Sequence, residues 1–111
     1  MTSDTSKEVH GARAFRFTKM KDGKEIARAW LYLIHNDLHR EPFGLLEDLF
    51  VEQAHRGKGL ATELLDQVIM QARQEKCYKL IATSRTERKE VHKLYTMNDF
   101  TLWGNEFRLE L

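Results

Sequence analysis

Six consecutive residues, Arg56-Gly57-Lys58-Gly59-Leu60-Ala61, place two glycines and two cations directly ahead of a helical apolar stripe. A helix start exposes unpaired N–H groups and roughly half a positive charge, so it attracts phosphate. Gly57 and Gly59 let the backbone approach an anion with no Cβ in the way. Arg56 and Lys58 add charge, and an arginine can grip phosphate oxygens in a bidentate way. The same residues would also serve an ordinary strand-to-helix connection. The turn fits neither common nucleotide pattern: it lacks Gly-x-x-x-x-Gly-Lys-Ser/Thr and the third glycine of a dinucleotide fingerprint.

Other reactive residue types are scattered. His35 and His39 stand four apart in a polar loop without further ligands, so no metal site is expected. Cys77 reads as a small buried hydrophobe. Trp30 and Tyr32 could line a pocket, but they read as core. Arg85 and Arg88 are solvated helix charges or cations within reach of an outer phosphate.

The elements around the turn follow from periodicity. Phe15 and Phe17 alternate with Arg16 and Thr18, as in a half-buried strand over residues 12–20. Asp22-Gly23 is a hairpin turn signal. Ile26 to Ile34 is apolar enough for a central strand covered on both faces. Leu45 to Val51 is another strand, interrupted by Glu47 and Asp48. Leu60, Leu64, Leu65, Val68, Ile69 and Ala72 recur at helical spacing. Tyr78 to Thr83 is a short strand. Ser84-Arg85-Thr86-Glu87 has the form of a capping box opening a second helix. Phe100–Trp103 and Glu106–Leu111 flank Gly104-Asn105 as a terminal hairpin. The order is strand-strand-strand-helix-strand-helix-strand-strand, an α/β chain with a mixed sheet.

The chain has 111 residues, about one domain, with 41% hydrophobic and 32% charged residues. Residues 1–11 are expected to be a disordered tail and residues 12–111 a single domain. A net charge of +1 gives no general field for nucleic acid or an anionic membrane, so any anion site must be local. No apolar run approaches the ~20 residues of a membrane span. The polar start lacks the apolar region of a secretory signal, and one cysteine suits a reducing cytosol, so a cytoplasmic location is expected.

Arg56-x-x-Gly59-x-Ala61 resembles the Gln/Arg-x-x-Gly-x-Gly/Ala signature of the GCN5-related N-acetyltransferase (GNAT) superfamily. Leu94-Tyr95-Thr96-Met97-Asn98-Asp99-Phe100 resembles that superfamily's Leu-Tyr-x-x-x-Gly-Phe segment. The similarity runs from about Phe43 to Leu111. Leu46–Val51 and Cys77–Ile81 are also similar to stretches of glucosamine 6-phosphate N-acetyltransferases, which we read as shared ancestry of the cofactor half.

This resemblance implies a mixed, mainly antiparallel twisted sheet with two main helices and a splayed parallel strand pair. It implies acetyl-CoA as co-substrate and no metal. Leu49, Phe50 and Val51 would pair with the pantetheine, while Arg56, Gly57, Lys58, Gly59, Leu60, Ala61 and Thr62 would hold the pyrophosphate. Acetyl transfer to an amine needs a neutral nucleophile and a proton for the leaving thiolate. Glu47, inside an apolar strand where partial burial would suit it to proton transfer, is the candidate base. The alternative is that Glu47 pairs with Arg28 or a backbone donor. Strand alternation sends Asp48 to the opposite face. Tyr95 matches the tyrosine that protonates the coenzyme thiolate.

The expected function is N-acetylation of a primary amine, peptide or small molecule, by direct attack in a ternary complex. A non-catalytic acetyl-CoA-binding regulatory module is the alternative. The chain also departs from its relatives. About ten polar residues stand where most relatives carry a strand and two helices, which implies an open acceptor side or one completed in a homodimer. Asp99 replaces a glycine, and Arg88 stands where many relatives carry an asparagine.

Overall fold

The computed structural model describes Ser6 and residues 11–111, and the expectation for the N-terminal tail falls almost wholly outside these. Three antiparallel strands come first: β1 (Ala12–Lys21), β2 (Lys24–Ile34) and β3 (Phe43–Val51). Asp22 and Gly23 turn the chain between β1 and β2 with φ of 50° and 77°, the left-handed pair of a two-residue hairpin turn. A single 3-10 turn, Gln53–His55, leads to helix α1 (Leu60–Gln74). Strand β4 (Leu80–Ala82) then runs parallel to β3, and helix α2 (Lys89–Met97) follows. The sheet order is β1-β2-β3-β4, so the fold is a mixed α/β sheet with two helices, as the residue pattern implies.

One face of the sheet holds the core. Ala27, Ala29, Leu31 and Leu33 of β2 and Leu46, Leu49 and Val51 of β3 are buried there with Leu64, Leu65, Val68 and Ala72 of α1. Phe15 and Phe17 pack against the same cluster from β1. Burying a leucine or valine stabilises the fold by ~1.5–3 kcal/mol, so this apolar stripe is what fixes α1 on the sheet. The other face of β2 carries Arg28, Trp30, Tyr32 and Ile34, all half-buried. The central strand is therefore covered on one face, not two. Trp30 and Tyr32 stack on that outer face, with ring centroids 5.8 Å apart, and take no part in the core.

Two further expectations do not hold. The capping box is not used: α2 begins at Lys89, its cap residue Arg88 makes no side-chain capping bond, and the Thr86 hydroxyl instead donates to Glu87. The terminal hairpin does not form, because no residue from 101 to 111 pairs with a strand.

Candidate functional site

The β3–β4 ladder is short. Gly44, Leu45 and Leu46 pair with Leu80, Ile81 and Ala82, and there the pairing stops. A Cβ on Gly44 would lie 2.9 Å from Leu80 Cδ1 and 3.1 Å from Leu31 Cδ1, so the side chains at the close end of the pair pack against that glycine. Just beyond it β3 bulges. Trp30 faces Glu47 and Arg28 faces Phe50, which leaves Asp48 and Leu49 opposite Ala29 alone. Asp48 takes φ of 55°, the left-handed conformation of an inserted residue.

The bulge shifts the alternation by one. Gly44 and Leu46 are buried before it, Leu49 and Val51 after it, and Glu47 and Asp48 are both exposed. Asp48 is therefore not sent to the inner face, and Glu47 is not buried. The Asp48 carboxylate accepts from Arg28 Nε at 2.6 Å, and Arg28 Nη1 also lies 3.6 Å from Glu25. Arg28 is thus taken by Asp48 and Glu25, and among the described residues no salt bridge involves Glu47.

The Arg56–Ala61 turn sits at the far end of β3. Arg56 Nε donates to the Val51 carbonyl at 2.9 Å, and its guanidinium lies 5.8 Å from the Phe50 ring centre. These contacts fix the stem of the turn to the strand. Gly57 and Gly59 have φ of 77° and 83°, which ordinary side chains rarely adopt, and nothing lies within 4 Å of a Cβ built on either. Backbone conformation, not crowding, requires glycine there. Gly59 caps α1 without a side-chain bond, and the ladder starts with Glu63 N–H donating to the Gly59 carbonyl at 3.0 Å. The N–H groups of the first turn before Glu63 are left for another partner.

Strand end, turn and second helix border an open cavity of about 450 Å³. Leu49 and Val51 line it from β3, and Arg56, Gly57, Gly59, Leu60, Ala61 and Thr62 from the turn and α1. Of the expected site residues, Phe50, Lys58, Glu47 and Tyr95 are not among its lining residues. The opposite wall is the start of α2, through its cap residue Arg88 and through Glu90, Val91 and Leu94. Arg88 as a lining cation was one of two readings open in the sequence, and the i, i+3 spacing of Arg88, Val91 and Leu94 was the signal for this wall.

Tyr95, one residue further along α2, is buried, and its hydroxyl donates to the Thr83 carbonyl at 3.4 Å. Its ring lies against Phe100 with centroids 5.3 Å apart. Burial pushes the Tyr95 phenol above its ordinary value, partly offset by the Arg88 charge. Among the described residues no group of three or more His, Cys, Asp or Glu gathers as metal ligands, and no helix is long and apolar enough to cross a membrane.

A bulged strand whose pairing with its parallel neighbour stops short and a glycine-turned helix start face one cavity. The sequence profile of the acetyltransferase (GNAT) family matches residues 3–100, and the chain belongs to that family of N-acetyltransferases. No curated protein matches the sequence. Among solved structures, an acetyltransferase of Trypanosoma brucei is similar at 25% identity and a TM-score of 0.76, over 91% of this chain and 70% of that one. A ribosomal-protein-alanine N-acetyltransferase of Brucella melitensis biovar Abortus 2308 is similar at 20% identity and a TM-score of 0.74, over 88% and 71% of the two chains. A Clostridium acetobutylicum protein described as a predicted acetyltransferase, crystallised with acetyl-CoA, gives 18% identity and a TM-score of 0.74, over 87% and 64%. The last two likenesses concern the fold alone.

Proposed function

We propose that this protein transfers the acetyl group of acetyl-CoA to a primary amine by direct attack in a ternary complex. The observation that carries the reading is the continuity of one cavity along Leu49 and Val51 to the Gly57–Thr62 helix start. Unpaired β3 backbone can hydrogen-bond the amides of a pantetheine arm, and the turn offers N–H groups to the pyrophosphate.

In this reading the amine nitrogen attacks the thioester carbonyl, a C–N bond forms, and the C–S bond breaks as the tetrahedral intermediate collapses. The thiolate then takes a proton from the Tyr95 hydroxyl, which its buried position keeps protonated. The amine proton leaves through Glu47 or a water route beside it. Glu47 is exposed on the outer face next to Trp30, so this carboxylate is open to an acceptor arriving from solvent. A peptide or protein amine suits that open face, and a small amine is the alternative acceptor.

Thermal unfolding in the presence of acetyl-CoA, coenzyme A and a nucleotide control tests the binding step. At ~100 times the dissociation constant, acetyl-CoA should add ~2.7 kcal/mol of stability. Gly59→Val, which forces a branched side chain into φ of 83°, should abolish that shift while the domain still unfolds cooperatively. A folded protein with no shift from acetyl-CoA would sink the proposal. Release of free thiol with a panel of amines and peptides tests turnover. Tight binding with no turnover on any amine would select the regulatory module instead.

A further inference from the structure

Arg88 is the cap residue of α2, a position where an arginine serves the helix badly. Its side chain makes no capping bond, and a cation there opposes the positive end of the helix dipole. The ion pair it makes is loose: Nε lies 3.9 Å from Glu90 Oε1, with the two side chains 41% and 77% exposed. An exposed pair of this kind contributes little to stability. Arg88 nevertheless lines the cavity, on the same wall as Val91 and Leu94.

Tyr95 follows Arg88 by seven residues, about two helical turns, so the two positions lie on one face of α2. Helical side chains lean back toward the N-terminus, and Tyr95 does so. Its hydroxyl donates to the carbonyl of Thr83, which precedes the helix. The phenol thus reaches toward the end of α2 that Arg88 caps. Burial raises the pKa of that phenol, and Arg88 is the charge that opposes the rise. The other charged groups on α2 and its flanks, among them Arg85, Glu90, His92 and Asp99, do not act on it appreciably. His92 is turned onto the Arg85 carbonyl, and Phe100, which covers the Tyr95 ring, carries no charge.

Resting on the acetyl-transfer reading, we propose that Arg88 is the electrostatic partner of Tyr95, holding the negative charge left on the phenol oxygen when its proton moves to the coenzyme sulfur. As the C–S bond breaks, its electron pair goes to sulfur and the Tyr95 proton forms the S–H bond. A phenolate remains until solvent returns a proton. A buried phenol is a weaker acid than a thiol of ordinary pKa ~8.5, so this transfer runs uphill. A guanidinium, charged at every working pH, lowers that slope by stabilising the phenolate. Glu90, by attracting Arg88, limits the effect.

Two readouts test this, one of them independent of turnover. In the ligand-free protein, ionised-tyrosine absorbance is titrated against pH while circular dichroism follows folding, and Tyr95→Phe picks out the Tyr95 step. Arg88→Gln should move that step to higher pH, Arg88→Lys should leave it near its original position, and Glu90→Gln should move it lower. An unmoved step in Arg88→Gln overturns the proposal. The second readout is a double-variant cycle on kcat at saturating acetyl-CoA. Arg88→Gln should lower kcat ~10-fold when Tyr95 is present, part of the ~10²–10⁴ that a positioned acid supplies, and have no further effect in Tyr95→Phe. Equal losses in both backgrounds overturn the proposal, because Arg88 would then act on the coenzyme itself. A step that moves as expected in a protein that acetylates no amine overturns acetyl transfer and leaves the coupling of Arg88 to Tyr95 standing.

Discussion

In the proposed reaction Tyr95 gives a proton to the thiolate, and it is held in place by the Thr83 carbonyl at 3.4 Å and the Phe100 ring. Burial raises the pKa of the phenol, which keeps it protonated but a weaker acid than a thiol of ordinary pKa ~8.5, so the proton moves as the C–S bond breaks and the phenolate is reprotonated from solvent. Tyr95→Phe keeps the ring and removes the proton. The expected result is a kcat lowered by ~10²–10⁴ with the acetyl-CoA thermal shift retained, measured by thiol release and melting. The same shift has a consequence for stability. A phenol whose folded pKa is raised binds its proton more tightly in the folded state, so its contribution is fully present below the unfolded value of ~10. That contribution is lost as pH rises through the folded value. Denaturant unfolding against pH should therefore show the unaltered protein losing more stability above pH ~10 than Tyr95→Phe does.

β3 shows how one inserted residue creates a site. Without the bulge, Glu47 and Asp48 would alternate across the sheet; with it, both lie exposed, Glu47 opposite Trp30 and Asp48 on Arg28, and the ladder to β4 has already ended. The bulge rests on Asp48 at φ of 55°, a conformation that costs a branched residue ~1–2 kcal/mol. Asp48→Val should lower stability by about that amount, whereas Asp48→Gly should be near neutral, since the exposed pair with Arg28 contributes little. Equal losses in both variants, measured by urea unfolding, would show that the Arg28 pair and not the backbone sets the cost. Neither the φ of Asp48 nor the parting of β3 from β4 can be derived from apolar periodicity, which assumes a straight strand. Resemblance to the superfamily, not spacing, supplied the splayed pair. Periodicity did serve where a single face is buried: Leu64, Leu65, Val68 and Ala72 mark α1, and Asp22-Gly23 marks the first hairpin. The Ser84–Glu87 capping box misled because it is a purely local signal, and α2 begins only at Lys89. Alternation over residues 106–111 reads as a strand but carries no information about a pairing partner, and the segment joins no strand.

The core and the site share α1. Leu64, Leu65 and Val68 are fully buried against β2 and β3, and the turn that starts the same helix faces the cavity. Leu65→Ala would delete buried methyl groups and leave a cavity, at a cost of ~2–5 kcal/mol. Domains of this size have only ~5–15 kcal/mol in all, so the variant should populate unfolded chains well below the melting temperature of the unaltered protein. A ligand that binds only the folded form works against this by mass action. Acetyl-CoA at ~100 times its dissociation constant should return ~2.7 kcal/mol, recovering much of the loss. Two melting curves for Leu65→Ala, with and without acetyl-CoA, measure the coupling directly. A rise in melting temperature like that of the unaltered protein means the helix start keeps its geometry when its buried face is damaged. A much smaller rise, with acetyl-CoA still stabilising the unaltered protein, means the anion-binding turn is held in register by the packing of α1 on the sheet.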